Sequence, residues 1–135
     1  MKTFQNVATF RVRYADTDRM GFLYNGNYLT LFEIGRTELM RTHGMNYRKM
    51  EDEGFMLPLT QAYAKYINPA YYDDVLEIQA ALEYTGGALL RFNYNILKDN
   101  TIITNGFTEH IFMNSKSRKP MKPPKFFLDI INDNN

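Results

Sequence analysis

Apolar and polar residues alternate near the start of the chain. Phe10, Val12 and Tyr14 are separated by two arginines. A period of two residues is typical of a β-strand that has one buried face. The pattern therefore predicts a first strand over residues 4–14, followed by a loop over 15–24.

The pattern then becomes helical between Asn27 and His43. Apolar and small residues recur there at spacings of three and four, which place them on one helix face: Tyr28, Leu31, Phe32, Gly35 and Leu39. Asn25 or Asn27 is predicted to cap the amino end, and Gly44 to end the helix in a left-handed conformation. Gly35 costs about 1 kcal/mol inside a helix, so we expect another backbone to pass close to it.

A short second helix is predicted over residues 45–54, and a series of strands follows. Alternation and turn residues predict these strands at 57–67, 74–84, 88–97 and 102–113. A single long helix has to bury its apolar stripe against the one available sheet. The sequence therefore predicts an α+β domain spanning 1–135, in which a curved antiparallel sheet of about five strands wraps around a central helix. We expect a core over about 4–113 and a basic, Pro-rich C-terminal segment over 114–135.

Composition excludes several classes of function. The chain has 135 residues and a net charge of +1, which argues against a general electrostatic binder of nucleic acid. It has no Cys and two distant His, so thiolate chemistry is excluded and we expect neither a metal site nor a cofactor. No stretch reaches the roughly 18 apolar residues of a membrane span, and no signal peptide is evident, so we expect a cytoplasmic protein.

Residues 14–33, YADTDRMGFLYNGNYLTLFE, place two aspartates ahead of the predicted helix. By themselves such acids are more often turn or cap residues than catalysts. However, this stretch and its continuation resemble the signature of the hotdog-fold acyl-CoA thioesterases, and most closely the 4-hydroxybenzoyl-CoA thioesterase-like group of the YbgC/FadM type. The matching positions are Tyr14, Asp16, Thr17, Asp18, Gly21, Tyr24, Asn27, Tyr28, Leu29, Phe32, Glu33, Arg36 and Glu38. Residues 66–80 resemble the same family.

The resemblance implies catalytic roles for two residues. Asp18 corresponds to the catalytic carboxylate, which would act either as a general base or as a nucleophile. A backbone N–H near Asn25, at the start of the long helix, corresponds to the oxyanion donor. Many relatives have His where this chain has Asn25, so any role of that His must be filled differently. We expect Asp16 to support the loop.

Further residues are candidates for substrate binding. Tyr24, Gly26 and Tyr28 are expected around the acyl group, with the alternative that the tyrosines belong to the core. Glu33 is expected either to line the acyl pocket or to pair with the arginine three residues later. Arg91 is a candidate for the CoA phosphates, together with cations of the C-terminal segment; the alternative for that segment is a solvated basic tail.

The sequence thus predicts an enzyme that hydrolyses acyl-CoA thioesters with a short, medium or aromatic acyl group. Two alternatives stay open, namely a thioesterase for acyl carrier protein and an acyl-CoA-binding module without catalysis. An open sheet edge and the family resemblance together predict a homodimer or homotetramer with each site at a subunit interface.

Overall fold

The computed structural model describes residues 4–45, 47–84 and 86–133. Its strands are β1 (Phe4–Arg11), β2 (Phe55–Met56), β3 (Leu59–Tyr66), β4 (Val75–Glu83), β5 (Leu89–Lys98), β6 (Thr101–Ile111) and β7 (Met113–Asn114). Its helices are α1 (Tyr28–Thr42), α2 (Tyr47–Asp52) and α3 (Lys125–Asp133). Among these described residues, no helix has the length and apolar character needed to cross a membrane.

Five strands form one antiparallel sheet in the order β1-β4-β5-β6-β3. β1 and β3 are its edges, and β2 pairs separately with β7. The β5–β6 hairpin turns at Asp99 and Asn100, which both have positive φ, as a tight two-residue turn requires. The α+β arrangement of one sheet and one long helix confirms the predicted fold class.

Helix α1 packs against one face of the sheet at very short range. A Cβ atom added to Gly35 would lie 2.8 Å from Cγ2 of Ile78, so only glycine lets β4 approach this closely. One turn earlier, the Phe32 ring stacks on Tyr94 of β5 with 4.3 Å between ring centroids. A close contact at Gly35 is therefore present, but its partners are side chains of β4 and β5, not the backbone that the sequence predicted.

The two ends of α1 differ in how well they match their predicted caps. Gly44 has φ of 80°, as predicted for a left-handed residue that ends the helix. Asn27 occupies the amino-terminal cap position, but its side chain makes no capping bond. Instead, Asn27 Nδ2 donates to the carbonyl oxygen of Asp16 at 3.0 Å. The predicted side-chain cap is therefore wrong, because this amide ties the helix to the preceding loop.

The C-terminal segment packs more extensively than a solvated tail would. Phe127 of α3 is only 1% exposed, and its ring contacts Phe112 and Tyr84 at centroid distances of 4.8 and 5.6 Å. The core therefore reaches beyond the range 4–113 predicted from the sequence. Residues 116–120 form an exposed basic turn, and Ser115 just before it bonds to the Gly54 carbonyl oxygen.

Candidate active site

The loop between β1 and α1 is built around Asp16. Its carboxylate accepts the backbone N–H of Arg13 at 2.9 Å and two guanidinium N–H groups of the same residue at 3.0 and 2.9 Å. These bonds to Arg13 hold the pKa of the Asp16 carboxyl below its ordinary value. The Asp16 carbonyl also accepts the N–H of Tyr24. Asp16 therefore fixes the loop, as the sequence led us to expect.

Asp18 lies two residues further on, half-buried in a tight turn. The Asp18 N–H donates to the Phe22 carbonyl oxygen at 3.1 Å. Gly21 closes the turn with φ of 88°. Oδ1 accepts the N–H of Met20 at 2.8 Å. Within the described residues, Oδ2 accepts no hydrogen bond, so it is free to meet a water molecule or a substrate.

A cavity of about 290 Å³ opens beside Asp18. It contains three of the residues predicted for the site, since Asp18, Asn25 and Tyr28 all line it. The remaining lining residues are mostly apolar: Met20, Phe22, Leu23, Tyr66, Ile67, Asn68 and Pro69. A carboxylate at the edge of an apolar pocket is suited to hydrolysis of an ester or thioester whose acyl group fills the pocket.

The start of the helix has backbone N–H groups without acceptors among the described residues, and one of the residues that carry them, Asn25, lines this cavity. A 3₁₀ turn over Asn25–Asn27 leads directly into α1. The N–H groups of Asn25 and Gly26 have no acceptor in the described part of the chain, as is usual at a helix amino end. Such N–H groups carry partial positive charge and can stabilise an oxyanion.

Tyr66 holds this turn in place, and the sequence analysis missed it. Its hydroxyl donates to the Asn25 carbonyl at 3.1 Å, and its ring contacts that of Tyr28 with 5.1 Å between centroids. Burial raises the pKa of Tyr28 above its ordinary value, so this tyrosine stays neutral. The available signal was the position of Tyr66 at the end of a strand, just before the family-like Asn68-Pro69.

The other predicted residues lie outside this cavity. The exposed Tyr24 ring covers Gly26, since its Cε2 atom is 2.6 Å from the place where a Cβ would lie. Glu33 lines a different cavity further along α1. Arg91 is on the sheet face opposite α1, where it pairs with Glu109 at 3.3 Å. The structure therefore does not bring Glu33 or Arg91 beside Asp18.

Comparison with known proteins identifies the family of this chain. The family model of the thioesterase-like superfamily matches residues 12–131. The acyl-CoA thioester hydrolase YbgC of Escherichia coli O157:H7 is 30% identical, over 85% of this chain and 87% of its own.

Solved structures show the same fold over nearly the whole chain. A hypothetical protein of Aquifex aeolicus is 31% identical, with a TM-score of 0.87, and the match covers 93% of this chain and 98% of that one. A DHNA-CoA thioesterase of Staphylococcus aureus is 28% identical, with a TM-score of 0.87, and the match covers 95% of this chain and 87% of that one. The chain therefore belongs to the thioesterase-like superfamily and is a hotdog-fold thioester hydrolase.

Proposed function

We propose that the protein hydrolyses acyl-CoA thioesters. Water adds to the thioester carbonyl, the carbon–sulfur bond breaks, and a free acid and the CoA thiol are released. The observation that carries this proposal is the cavity shared by Asp18 and Asn25, whose N–H has no acceptor among the described residues. The YbgC relatives support the choice of acyl-CoA, since they are named as hydrolases of these esters.

In this proposal Asp18 takes the proton of the attacking water through its unpaired Oδ2. Alternatively, the same oxygen attacks the carbonyl and forms a transient anhydride, which water then hydrolyses. The N–H groups of Asn25 and Gly26 stabilise the negative charge that develops on the thioester oxygen. Either route needs a carboxylate and a donor set beside the carbonyl, and the position of Asp18 and Asn25 on one cavity supports this arrangement.

We propose a short- or medium-chain or aromatic acyl group as the substrate. The walls beside Asp18 are apolar, and Tyr24, Tyr28 and Gly26 surround the start of the helix. The cavity volume of about 290 Å³ is at the small end of ligand pockets. The Staphylococcus aureus neighbour is named for an aromatic acyl-CoA.

We also propose that the protein is a homodimer or homotetramer. β3 is an edge strand with exposed apolar side chains, including Leu59, Tyr63 and Tyr66. A long exposed edge of this kind is a pairing surface unless another chain covers it. Light scattering at micromolar concentration should give at least twice the mass of the chain, and a monomer would contradict the proposal.

A thiol-release assay with the Asp18→Asn variant tests the function. Its substrates are acyl-CoA esters from acetyl to palmitoyl, together with benzoyl and 4-hydroxybenzoyl esters. We expect turnover by wild type and a loss of about 10²–10⁴-fold in the variant. Asp52→Asn, an exposed acid at the end of α2, is the control and should retain full activity. Equal turnover by wild type and Asp18→Asn would remove Asp18 from the mechanism.

A further inference from the structure

Tyr66 reaches from the end of β3 to the turn that begins α1. Its hydroxyl donates to the Asn25 carbonyl oxygen at 3.1 Å, across 41 positions of the sequence. Its ring contacts the ring of Tyr28 with 5.1 Å between centroids, and all three residues line the cavity beside Asp18. The proposed mechanism gives the Tyr66 hydroxyl no role so far.

The 3₁₀ turn that begins α1 has no side-chain cap of its own. The cap residues Tyr24 and Asn27 make no capping bond with their side chains. Among the described residues, two side-chain contacts with other segments hold the turn instead. Asn27 Nδ2 donates to the Asp16 carbonyl oxygen, and the Tyr66 hydroxyl donates to the Asn25 carbonyl oxygen. The first contact ties the turn to the preceding loop, and the second ties it to the sheet.

The carbonyl that accepts from Tyr66 belongs to the same peptide group as the Gly26 N–H. That N–H has no acceptor among the described residues, and it lies at the positive amino end of the helix. The Asn25 carbonyl also accepts the backbone N–H of Tyr28. Hydrogen bonds to a carbonyl polarise its peptide group, so the N–H on the other side becomes a stronger donor. The Tyr66 hydroxyl therefore strengthens the Gly26 N–H through one peptide group.

The ring and the hydroxyl of Tyr66 make separate contacts. The ring packs on Tyr28, and a phenylalanine at this position would keep that contact. The hydroxyl reaches the backbone of the turn, which a phenylalanine cannot do. Removal of this one oxygen therefore separates packing from any effect on the turn.

We propose that Tyr66 is a positioning residue, which orients and polarises the peptide group between Asn25 and Gly26 for the developing oxyanion. It exchanges no proton with the substrate and acts only through this peptide group. Negative charge collects on the thioester oxygen mainly in the transition state, so the hydroxyl should raise kcat and leave KM unchanged. The inference rests on the proposed function.

Thiol-release kinetics of Tyr66→Phe measure this contribution, with the acyl-CoA ester that wild type hydrolyses fastest as the substrate. Removal of a donor that touches the oxyanion costs about 10²–10³-fold in kcat. Tyr66 acts from one peptide group away, and loss of a single neutral hydrogen bond corresponds to about tenfold. We therefore expect kcat to fall about tenfold, with KM within about twofold of wild type. Tyr63→Phe, the same change on the outer face of β3, should keep the wild-type kcat.

Two unreactive CoA analogues show whether the loss depends on the oxygen at the reacting carbon. The hydrated ketone of S-trifluoroacetonyl-CoA resembles the tetrahedral intermediate, whereas S-propyl-CoA has a chain of the same length without oxygen. By calorimetric titration, Tyr66→Phe should bind the ketone about tenfold more weakly than wild type does and should bind S-propyl-CoA equally well. In the free protein, the amide nitrogen NMR signal of Gly26 should move upfield in Tyr66→Phe, because its peptide carbonyl has lost a hydrogen bond.

The outcomes separate this inference from the proposed function. If wild type hydrolyses none of the esters, the proposed function fails and the inference fails with it. If wild type is active and Tyr66→Phe keeps the wild-type kcat, or if Tyr63→Phe loses as much, only the inference fails. A higher KM at unchanged kcat, or equal weakening of both analogues, would make Tyr66 a substrate-binding or packing residue instead. A loss of kcat with an unmoved Gly26 signal would mean that the hydroxyl contacts the substrate itself, which also overturns the inference.

Discussion

Acid should destabilise this protein through one buried histidine. His110 is only 2% exposed, and its Nδ1 faces the carbonyl of Leu57, which can only accept. Nδ1 therefore carries the hydrogen, and Nε2 accepts from the hydroxyl of Thr108. The Thr108 oxygen in turn accepts from Tyr94. A proton on Nε2 would reverse this chain of donors, so the folded state prefers neutral His110.

The expected loss of stability follows from the pKa. Burial lowers the pKa of His110 to about 4, and the positive charge of Arg36 on α1 acts in the same direction. In the unfolded chain the pKa is about 6.5, so the unfolded state takes up the proton first as the pH falls. The contribution of neutral His110 to stability is therefore fully present above about pH 6.5, and it is lost as the pH falls from about 6.5 to 4. When the pH falls from about 7.5 to 4.5, the free energy of unfolding should decrease by about 2–3 kcal/mol.

Denaturant unfolding of wild type and His110→Gln across this pH range measures the effect. Glutamine does not titrate, so the variant should lose about 2–3 kcal/mol less than wild type on acidification, although it is less stable at neutral pH. The His43→Gln variant, which keeps a single histidine, assigns the remaining imidazole NMR signals to His110. Equal acid losses in wild type and variant, or titration of the His110 signal near 6.5, would refute the reasoning.

Two substitutions test the packing and the loop. Gly106→Ala should cost about 3 kcal/mol of unfolding free energy, because its Cβ would lie 2.1 Å from the Tyr63 carbonyl oxygen. Gly86→Ala meets no neighbouring atom but has φ of 118°, so backbone strain alone should cost about 1–2 kcal/mol. A loss for Gly106→Ala in thermal melts no larger than that for Gly86→Ala would count against the steric explanation. Asp16→Asn should cost about 1–3 kcal/mol, because it weakens the bonds to Arg13, whereas Asp73→Asn in an exposed ion pair should cost less than about 1 kcal/mol. Denaturant unfolding at neutral pH compares these two variants. If Asp16→Asn lowers the unfolding free energy no more than Asp73→Asn does, the bonds from Arg13 to Asp16 do not hold the loop as we infer.

The sequence contained enough local information for the order of the elements and their turns. The period of α1 and the hairpin at Asp99 depend on residues near one another in the chain or on one helix face. Boundaries were less accurate. β1 ends at Arg11 rather than at residue 14, because the chain turns into a 3₁₀ helix at Tyr14.

What the sequence could not provide were contacts between distant segments. Tyr66 meets Asn25 only because β3 ends beside the start of α1, and no local pattern encodes that approach. Arg91 was a reasonable phosphate ligand by charge alone. Its position in β5, however, puts it on the outer sheet face with Glu109 and over the Phe107 ring. Such assignments depend on sheet order and register, which side-chain chemistry does not determine.

Asp16 and Asp18 differ in how many of their carboxylate oxygens are already hydrogen-bonded. Both carboxylate oxygens of Asp16 are bonded to Arg13, and its side chain is buried. Its lone pairs are therefore occupied and its basicity is low, so it is poorly placed to take a proton from water. Asp18 lines the cavity, and one of its oxygens accepts from Met20 while the other accepts no hydrogen bond from the described residues. A general base needs a fixed position and a free lone pair, and of the two aspartates only Asp18 has both.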